Sequence, residues 1–202
     1  PVCGILLCQR LLKYYLCDNP HPQIVKDLAQ VLRKHDWDIH STLGVLFNSQ
    51  YFYHPDHIGK QIKSPVQLLL KAMIDLQLEQ IPQAAAELCM EYLGQSLFNP
   101  PNVAGWPAGR SWINSTSLAK RYQLMNQLID AATAQTESRI SQDLLALPQL
   151  PLGVVDELLT QWFPHLIANQ KRQLLDRHMD ALKRSPRHLL LALGLSPEYQ
   201  LC

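Results

Sequence analysis

Ser64-Pro65-Val66-Gln67-Leu68-Leu69-Leu70-Lys71-Ala72-Met73-Ile74 is the segment that decides the fold class. Its apolar residues Val66, Leu69, Leu70, Met73 and Ile74 recur at alternating steps of three and one, the spacing of one helical face, and Ser64-Pro65 opens the run. Working outward, the same periodicity returns on both sides, and strand-like alternation is nearly absent. Upstream, Pro1 to Leu16 reads as the body of an amphipathic helix containing Ile5, Leu6, Leu12 and Tyr15. Ile24, Val25, Leu28, Val31 and Leu32 predict a second helix, capped by Asn19 with Pro20 in its first turn. Asp38 is placed to cap a third helix before Ile39. Downstream, Pro82 starts a helix that runs through Leu93 and stops near Gly94. Asn114-Ser115-Thr116 offers caps for a long helix striped by Leu118, Tyr122, Met125, Leu128 and Ile129. Helices are expected over about 138–147, 151–162 and 168–184, and Ser185-Pro186 opens a short last one. The expected fold is all-α, an irregular multi-helix bundle with one long ordered Pro/Gly/Trp/Asn loop over residues 98–114, in a single helical domain spanning 1–202.

Two helix exits echo each other. Leu43 to Tyr51 and Leu191 to Tyr199 each read as an apolar helix end followed by a Ser-x-x-aromatic turn. One such pair is no solenoid repeat, and a shared exit turn that folds an aromatic back onto the core explains it.

The loop is Phe98-Asn-Pro-Pro-Asn-Val-Ala-Gly-Trp-Pro-Ala-Gly-Arg-Ser-Trp-Ile-Asn114. Pro100-Pro101 prevents helix continuation, and Gly105 and Gly109 permit turns, so it reads as a shaped segment rather than a tether. From Tyr92 to Ile129 the chain has no Asp, Glu, His or Cys, so this region holds no ordinary proton shuttle or thiolate. It offers instead Arg110, Lys120 and Arg121, the amides of Asn99, Asn102 and Asn114, and hydroxyls at Ser111, Ser115 and Thr116. Such an inventory suits recognition of a neutral or anionic group, with free backbone N–H groups near Asn114 and a bidentate pair from Arg110. Trp106 and Trp112 could present an apolar platform to a sugar ring or a peptide side chain. The competing reading makes both indoles anchors and turns the Asn side chains onto the loop's own backbone. Candidate binding residues are therefore Asn99, Asn102, Trp106, Arg110, Trp112 and Asn114.

A histidine-acid cluster, His35-Asp36-Trp37-Asp38-Ile39-His40 with His54-Pro55-Asp56-His57, supplies ligand types suited to zinc. Its spacing is loose, Asp38 is better placed as a cap, and His54-Pro55-Asp56 reads as a loop entry, so no metal site is assigned. No cofactor is assigned either. The five cysteines, at 3, 8, 17, 89 and 202, show no CxxC spacing. Cys3 and Cys17 share a helix face but stand on the order of 20 Å apart, too far for one disulfide or one ion. No G-x-S-x-G, P-loop or dinucleotide fingerprint occurs, and the helical pattern lacks the strands these loops need.

Charge and composition narrow the partners. With 18 basic and 17 acidic residues the net charge is +1, which creates no field to draw in nucleic acid. Charged residues make up 17% of the 202, below the roughly 25% of a typical soluble protein, so part of the surface is expected to meet a protein partner or a glycan. No apolar run of about 18 residues occurs, so no transmembrane segment is expected. The first helix reads as cut at Pro1, so the chain is expected to begin inside a longer parent whose upstream part decides the compartment.

Phe98-Asn-Pro-Pro-Asn-Val-Ala-Gly-Trp-Pro followed by Gly109-Arg110-x-Trp112-x-Asn114 resembles the hallmark segment of a bacterial family catalogued as domain of unknown function 1800. Ile62-Lys63-Ser64-Pro65 and Ser196-Pro197-Glu198-Tyr199-Gln200 are similar to further segments of that family. The resemblance covers most of the chain and implies the C-terminal portion of a longer, exported bacterial protein, periplasmic or at the surface, with a protein partner. It carries no established activity. The expected function is a helical binding or scaffolding module with loop 98–114 as its recognition surface. The alternative is a hydrolase of cell-envelope material, with acids or metal ligands from an upstream region or from Asp36, Asp38, His54 and His57.

Overall fold

The computed structural model describes residues 2–134 and 150–201, and its regular structure there is helical, as the periodicity predicts. The helix expected over about 138–147 lies outside the described residues. The chain divides into two compact units, one ending at Gln61 and one spanning Ile62–Leu201.

In the first unit, α1 (Val2–Tyr15), α2 (Pro22–Lys34) and α3 (Ile39–Phe47) bury a shared core of Cys8, Leu12, Leu16, Val25, Leu28, Leu32 and Leu46. Gly4, Cys8 and Leu12 of α1 fall four apart and form one buried stripe. The start of α2 differs from expectation. His21 is its cap, accepting from the Gln23 N–H at 3.2 Å, and Pro22 is the first helical residue. The cause is local: a residue that precedes proline is pushed out of the α region, and His21 sits at ψ 131°, so a helix cannot begin at Pro20. Asp38 caps α3 as predicted, its two carboxylate oxygens accepting from the N–H groups of His40 (3.2 Å) and Ser41 (2.9 Å). Past α3, the Ser49 hydroxyl donates to Leu46 O at 2.6 Å and accepts from the Phe52 N–H at 3.3 Å, which brings Phe52 edge-on to Phe47. Gln61 closes the unit by donating to the last carbonyls of α1, Lys13 O and Tyr14 O.

The second unit holds α4 (Pro65–Asp75), α5 (Gln83–Glu87), α6 (Ser115–Ala134), α7 (Leu152–Trp162), α8 (Ala168–Arg177), α9 (Met179–Arg184) and α10 (Pro186–Gly194). Ser64 opens α4 with a reciprocal capping box, Ser64 Oγ to the Gln67 N–H and Gln67 Oε1 to the Ser64 N–H. The buried face of α4 is Pro65, Leu68, Leu69, Ala72 and Met73, whereas Leu70 and Ile74 are 47% and 70% exposed. The expected stripe is thus rotated by about one residue, because a run of three leucines fits either register. The Pro82–Leu93 helix changes hand-over-hand from α to a π turn at Leu88–Tyr92 and ends at Gly94, whose φ of +78° is the left-handed stop that glycine provides. The expected 168–184 helix is broken at His178 into α8 and α9. The Ser185 hydroxyl caps α10, accepting from His188.

The two short segments flanking this unit meet. Ile62 and Leu201 form an antiparallel bridge, and the Lys63 N–H donates to Gln200 O at 2.8 Å. The exit turn after α10 repeats the one after α3: Ser196 Oγ donates to Leu193 O and accepts from the Tyr199 N–H.

Candidate functional site

The widened π turn at the end of α5 splits two neighbours, leaving Tyr92 61% exposed and sending Leu93 into the core. From Gly94 the chain enters the Pro/Gly/Trp/Asn loop, which turns at three successive points. Phe98 adopts φ +62° and is 98% exposed. Asn102 Oδ1 accepts from the Ala104 N–H at 2.8 Å, and the Gly105 N–H, at a φ of +90°, donates to Asn102 O at 3.0 Å. Gly109, at φ +56°, then begins a single 3-10 turn, Gly109–Trp112, which ends by burying the Trp112 indole to 6% exposure.

Asn114 joins this turn to α6. Its Oδ1 accepts from the Ser117 N–H at 2.8 Å, while Ser117 Oγ accepts from the Asn114 N–H at 2.8 Å and donates to Trp112 O at 2.9 Å. The cap therefore locks the loop's exit to the helix start. The N–H groups of Ser115 and Thr116, the first two residues of α6, have no intrahelical acceptor by position. They stand at the positive end of a 20-residue helix with no acid in its first turn.

Between the π turn, the loop and this helix start lies a cavity of about 210 Å3, lined by Tyr92, Leu93, Gly94, Pro107, Ser111, Trp112, Asn114, Thr116 and Ser117. Of the sequence-predicted binding residues it brings Trp112 and Asn114 together. Asn99, Asn102 and Arg110 are exposed outside that lining, and Trp106 is half-buried with its indole nitrogen sealed away from any acceptor among the described residues. Tyr92 escaped the sequence reading, because its place in the cavity wall depends on the π turn that swings it outward. The Lys120 ammonium sits 4.9 Å above its ring, a cation–π contact that brings positive charge to the cavity's rim.

Arg121, grouped by sequence with the loop's cations, belongs elsewhere. It is 1% exposed and donates to Gln200 Oε1 at 2.7 Å and to Lys63 O at 2.8 Å, and burial pulls its pKa down to about 10. The reason is its position on the face of α6 that carries Leu124, Met125 and Leu128 into the core. Around it runs a buried polar network. The Lys63 ammonium donates to Tyr199 O and to Leu201 O, the Tyr199 hydroxyl donates to Asp75 Oδ2 at 2.7 Å, and Lys71 pairs with Asp75 Oδ1 at 2.5 Å. Burial raises the Asp75 pKa against the lowering effect of Lys71 and Tyr199. With Tyr199 fully buried, the part of this network is to weld the Lys63 and Tyr199 segments together. The neighbouring Cys89 thiol is pushed up to about 11 by burial and is inert.

The histidine-acid cluster is drawn into local structure. Both Asp38 oxygens hold the α3 start, His54 Nδ1 accepts from the Asp56 N–H at 3.3 Å, and His57 packs on Tyr51 with ring centroids 4.5 Å apart. Among the described residues no group of three or more His, Cys, Asp or Glu side chains converges on a point that could hold a metal ion. Nor is any described helix long and apolar enough to cross a membrane.

No curated protein and no solved structure matches the chain. A family described as a protein of unknown function, DUF1800, matches residues 1–201. Since that match takes in the loop, the cavity and the buried Lys63–Tyr199 network alike, the chain belongs to the DUF1800 family.

Proposed function

We propose that this chain is a helical recognition module and that loop 98–114 forms its contact surface, holding a saccharide-sized polar group in the cavity at the loop's base. One observation carries the reading. The cavity wall combines two aromatic rings with amide and hydroxyl side chains and contains no carboxylate, imidazole or thiol. That is the composition of a site that orients a ligand, not one that moves its protons. At about 210 Å3 it falls below the usual size of a drug-like pocket, roughly 300 Å3 or more, and suits one ring or one side chain. The reading supposes an exported bacterial protein, a setting in which envelope glycans are at hand. The hydrolase alternative needs catalytic groups from outside this cavity, and nothing in its wall favours it.

The test is a titration of the chain with mono- and oligosaccharides, followed by calorimetry and by the Trp indole N–H signals in NMR. Tyr92→Ala and Thr116→Val are expected to weaken the best saccharide by about tenfold, on the order of 1.4 kcal/mol, with the melting temperature unchanged. Absence of any saccharide response in the wild type sinks the proposal. A second surface has its own motive: Phe98 and Val103 are almost fully exposed on an ordered loop, which favours contact with a partner protein. Trp106→Ala with Arg110→Ala is expected to abolish partner capture by the folded chain; unfolding of both variants would make the loop an anchor only.

A further inference from the structure

The cavity wall is graded in polarity. Its buried members are Leu93 and Trp112, whereas its hydrogen-bonding side chains Ser111, Asn114 and Thr116 are exposed. Ser117, at intermediate depth, is already engaged: its hydroxyl accepts from the Asn114 N–H and donates to Trp112 O. The cavity thus has an apolar floor beneath a polar rim.

A floor of this kind sorts what reaches it. A sugar hydroxyl pressed against Leu93 and Trp112 gives up water without gaining a partner, which is unfavourable. A methyl group gains there, because its apolar surface leaves water.

The rim offers hydrogen bonds of both senses. The Ser111 and Thr116 hydroxyls donate or accept. The Asn114 side-chain oxygen is taken by the Ser117 N–H, and its NH2 group has no acceptor among the described residues. Across from them, the carbonyls of Leu93, Gly94 and Pro107 accept no hydrogen bond from any described residue. No Asp, Glu, His, Lys or Arg lines the cavity, and Lys120 is held on the Tyr92 ring rather than in the wall. Such a rim matches a neutral group that carries both a donor and an acceptor. An acetamido group joins these properties to the floor's demand, since it ends in a methyl and its planar amide points C=O and N–H to opposite sides.

Resting on the saccharide reading above, we infer that this cavity selects N-acetylated sugars, with the acetamido methyl on the floor and its amide at the rim. The Ser111 and Thr116 hydroxyls donate to the amide oxygen, and the carbonyls at Leu93 and Gly94 accept from its N–H. Tyr92 packs along the face of the sugar ring.

The experiment is calorimetric titration of the full chain with N-acetylglucosamine, N-formylglucosamine, glucose and a capped alanine peptide, N-acetylalanine N-methylamide, with the Trp indole N–H signals followed by NMR. N-acetylglucosamine is expected to bind about tenfold more tightly than glucose, the methyl and the amide bonds together supplying the difference. N-formylglucosamine, which keeps the amide and lacks the methyl, is expected to fall about fourfold below the N-acetyl sugar. Ser111→Ala and Thr116→Val, both at exposed positions, are each expected to weaken N-acetylglucosamine by about fivefold and to leave glucose unchanged. Equal affinity for glucose and N-acetylglucosamine overturns the inference and leaves saccharide recognition standing, and so does equal affinity for the formyl and acetyl sugars. Tighter binding of the capped peptide than of any sugar overturns it in favour of a peptide amide. N-acetylglucosamine binding that neither variant weakens places the sugar elsewhere and overturns it too. Silence toward all four ligands overturns both this inference and the saccharide reading.

Discussion

Phe98 bears two penalties together, a left-handed backbone at φ +62° and a ring left 98% exposed. The first is worth roughly 1–2 kcal/mol for a non-glycine residue. Phe98→Gly is therefore expected to stabilise the second unit by about 0.5–1 kcal/mol in urea unfolding, after allowance for the extra freedom of glycine in the unfolded chain. A loss of stability would mean that the ring has contacts the loop depends on. Tyr199 presents the opposite case, a hydroxyl whose whole environment is protein. Tyr199→Phe removes the bond to Asp75 Oδ2 and leaves a buried carboxylate short of one donor, for an expected cost of about 1–3 kcal/mol. At this scale the sequence shows residue types but not their directions. That loop 98–114 is donor-rich and acid-poor was legible; that Trp112 turns inward, Trp106 only half so and Arg121 wholly was not. Each depends on which face of a neighbouring helix the residue meets.

Helix starts were the most legible elements, because a cap is a contact across two or three residues. Ser64, Asp38 and Ser185 cap α4, α3 and α10 through their own side chains. Asp38→Ala is expected to cost the first unit about 1 kcal/mol, visible as a lower urea midpoint at unchanged slope. An unchanged midpoint would show that the two left-handed residues ahead of it, Asp36 and Trp37, set the start of α3 unaided. The start of α2 misled because two prolines compete there, and the second overrules the first by the restriction it places on His21. Registers were less legible than starts. Asp75 shares the buried face of α4 with one oxygen held by Lys71 a turn earlier and the other by the Tyr199 hydroxyl, which arrives from 124 residues away, and local periodicity holds no trace of that second partner.

For the second unit as a whole, His165 gives a dependence on pH. Burial, then the positive charges of Lys63 and Lys71, lower its pKa; Lys171 adds to this and Glu198 opposes it. In the unfolded chain a histidine titrates near 6.5. Above that value both states are neutral and stability is complete. As pH falls below it the unfolded chain takes up the proton first, so stability is lost down through the lower folded pKa. His165→Gln is expected to flatten the fall in unfolding free energy as pH drops below about 6.5, the unfolded value; an identical slope in wild type and variant would assign it to other groups. The polar network was foreshadowed in the sequence only as two separate family-like segments, Ile62–Pro65 and Ser196–Gln200, with nothing to say they touch. Because they do, backbone to backbone at 2.8 Å, the stretch from Ile62 to Leu201 leaves at the place where it enters. A stretch so arranged is a cassette: it can be spliced into a surface turn of an unrelated host without prising the host's strands or helices apart, and rejoined ends would permit new openings elsewhere along it.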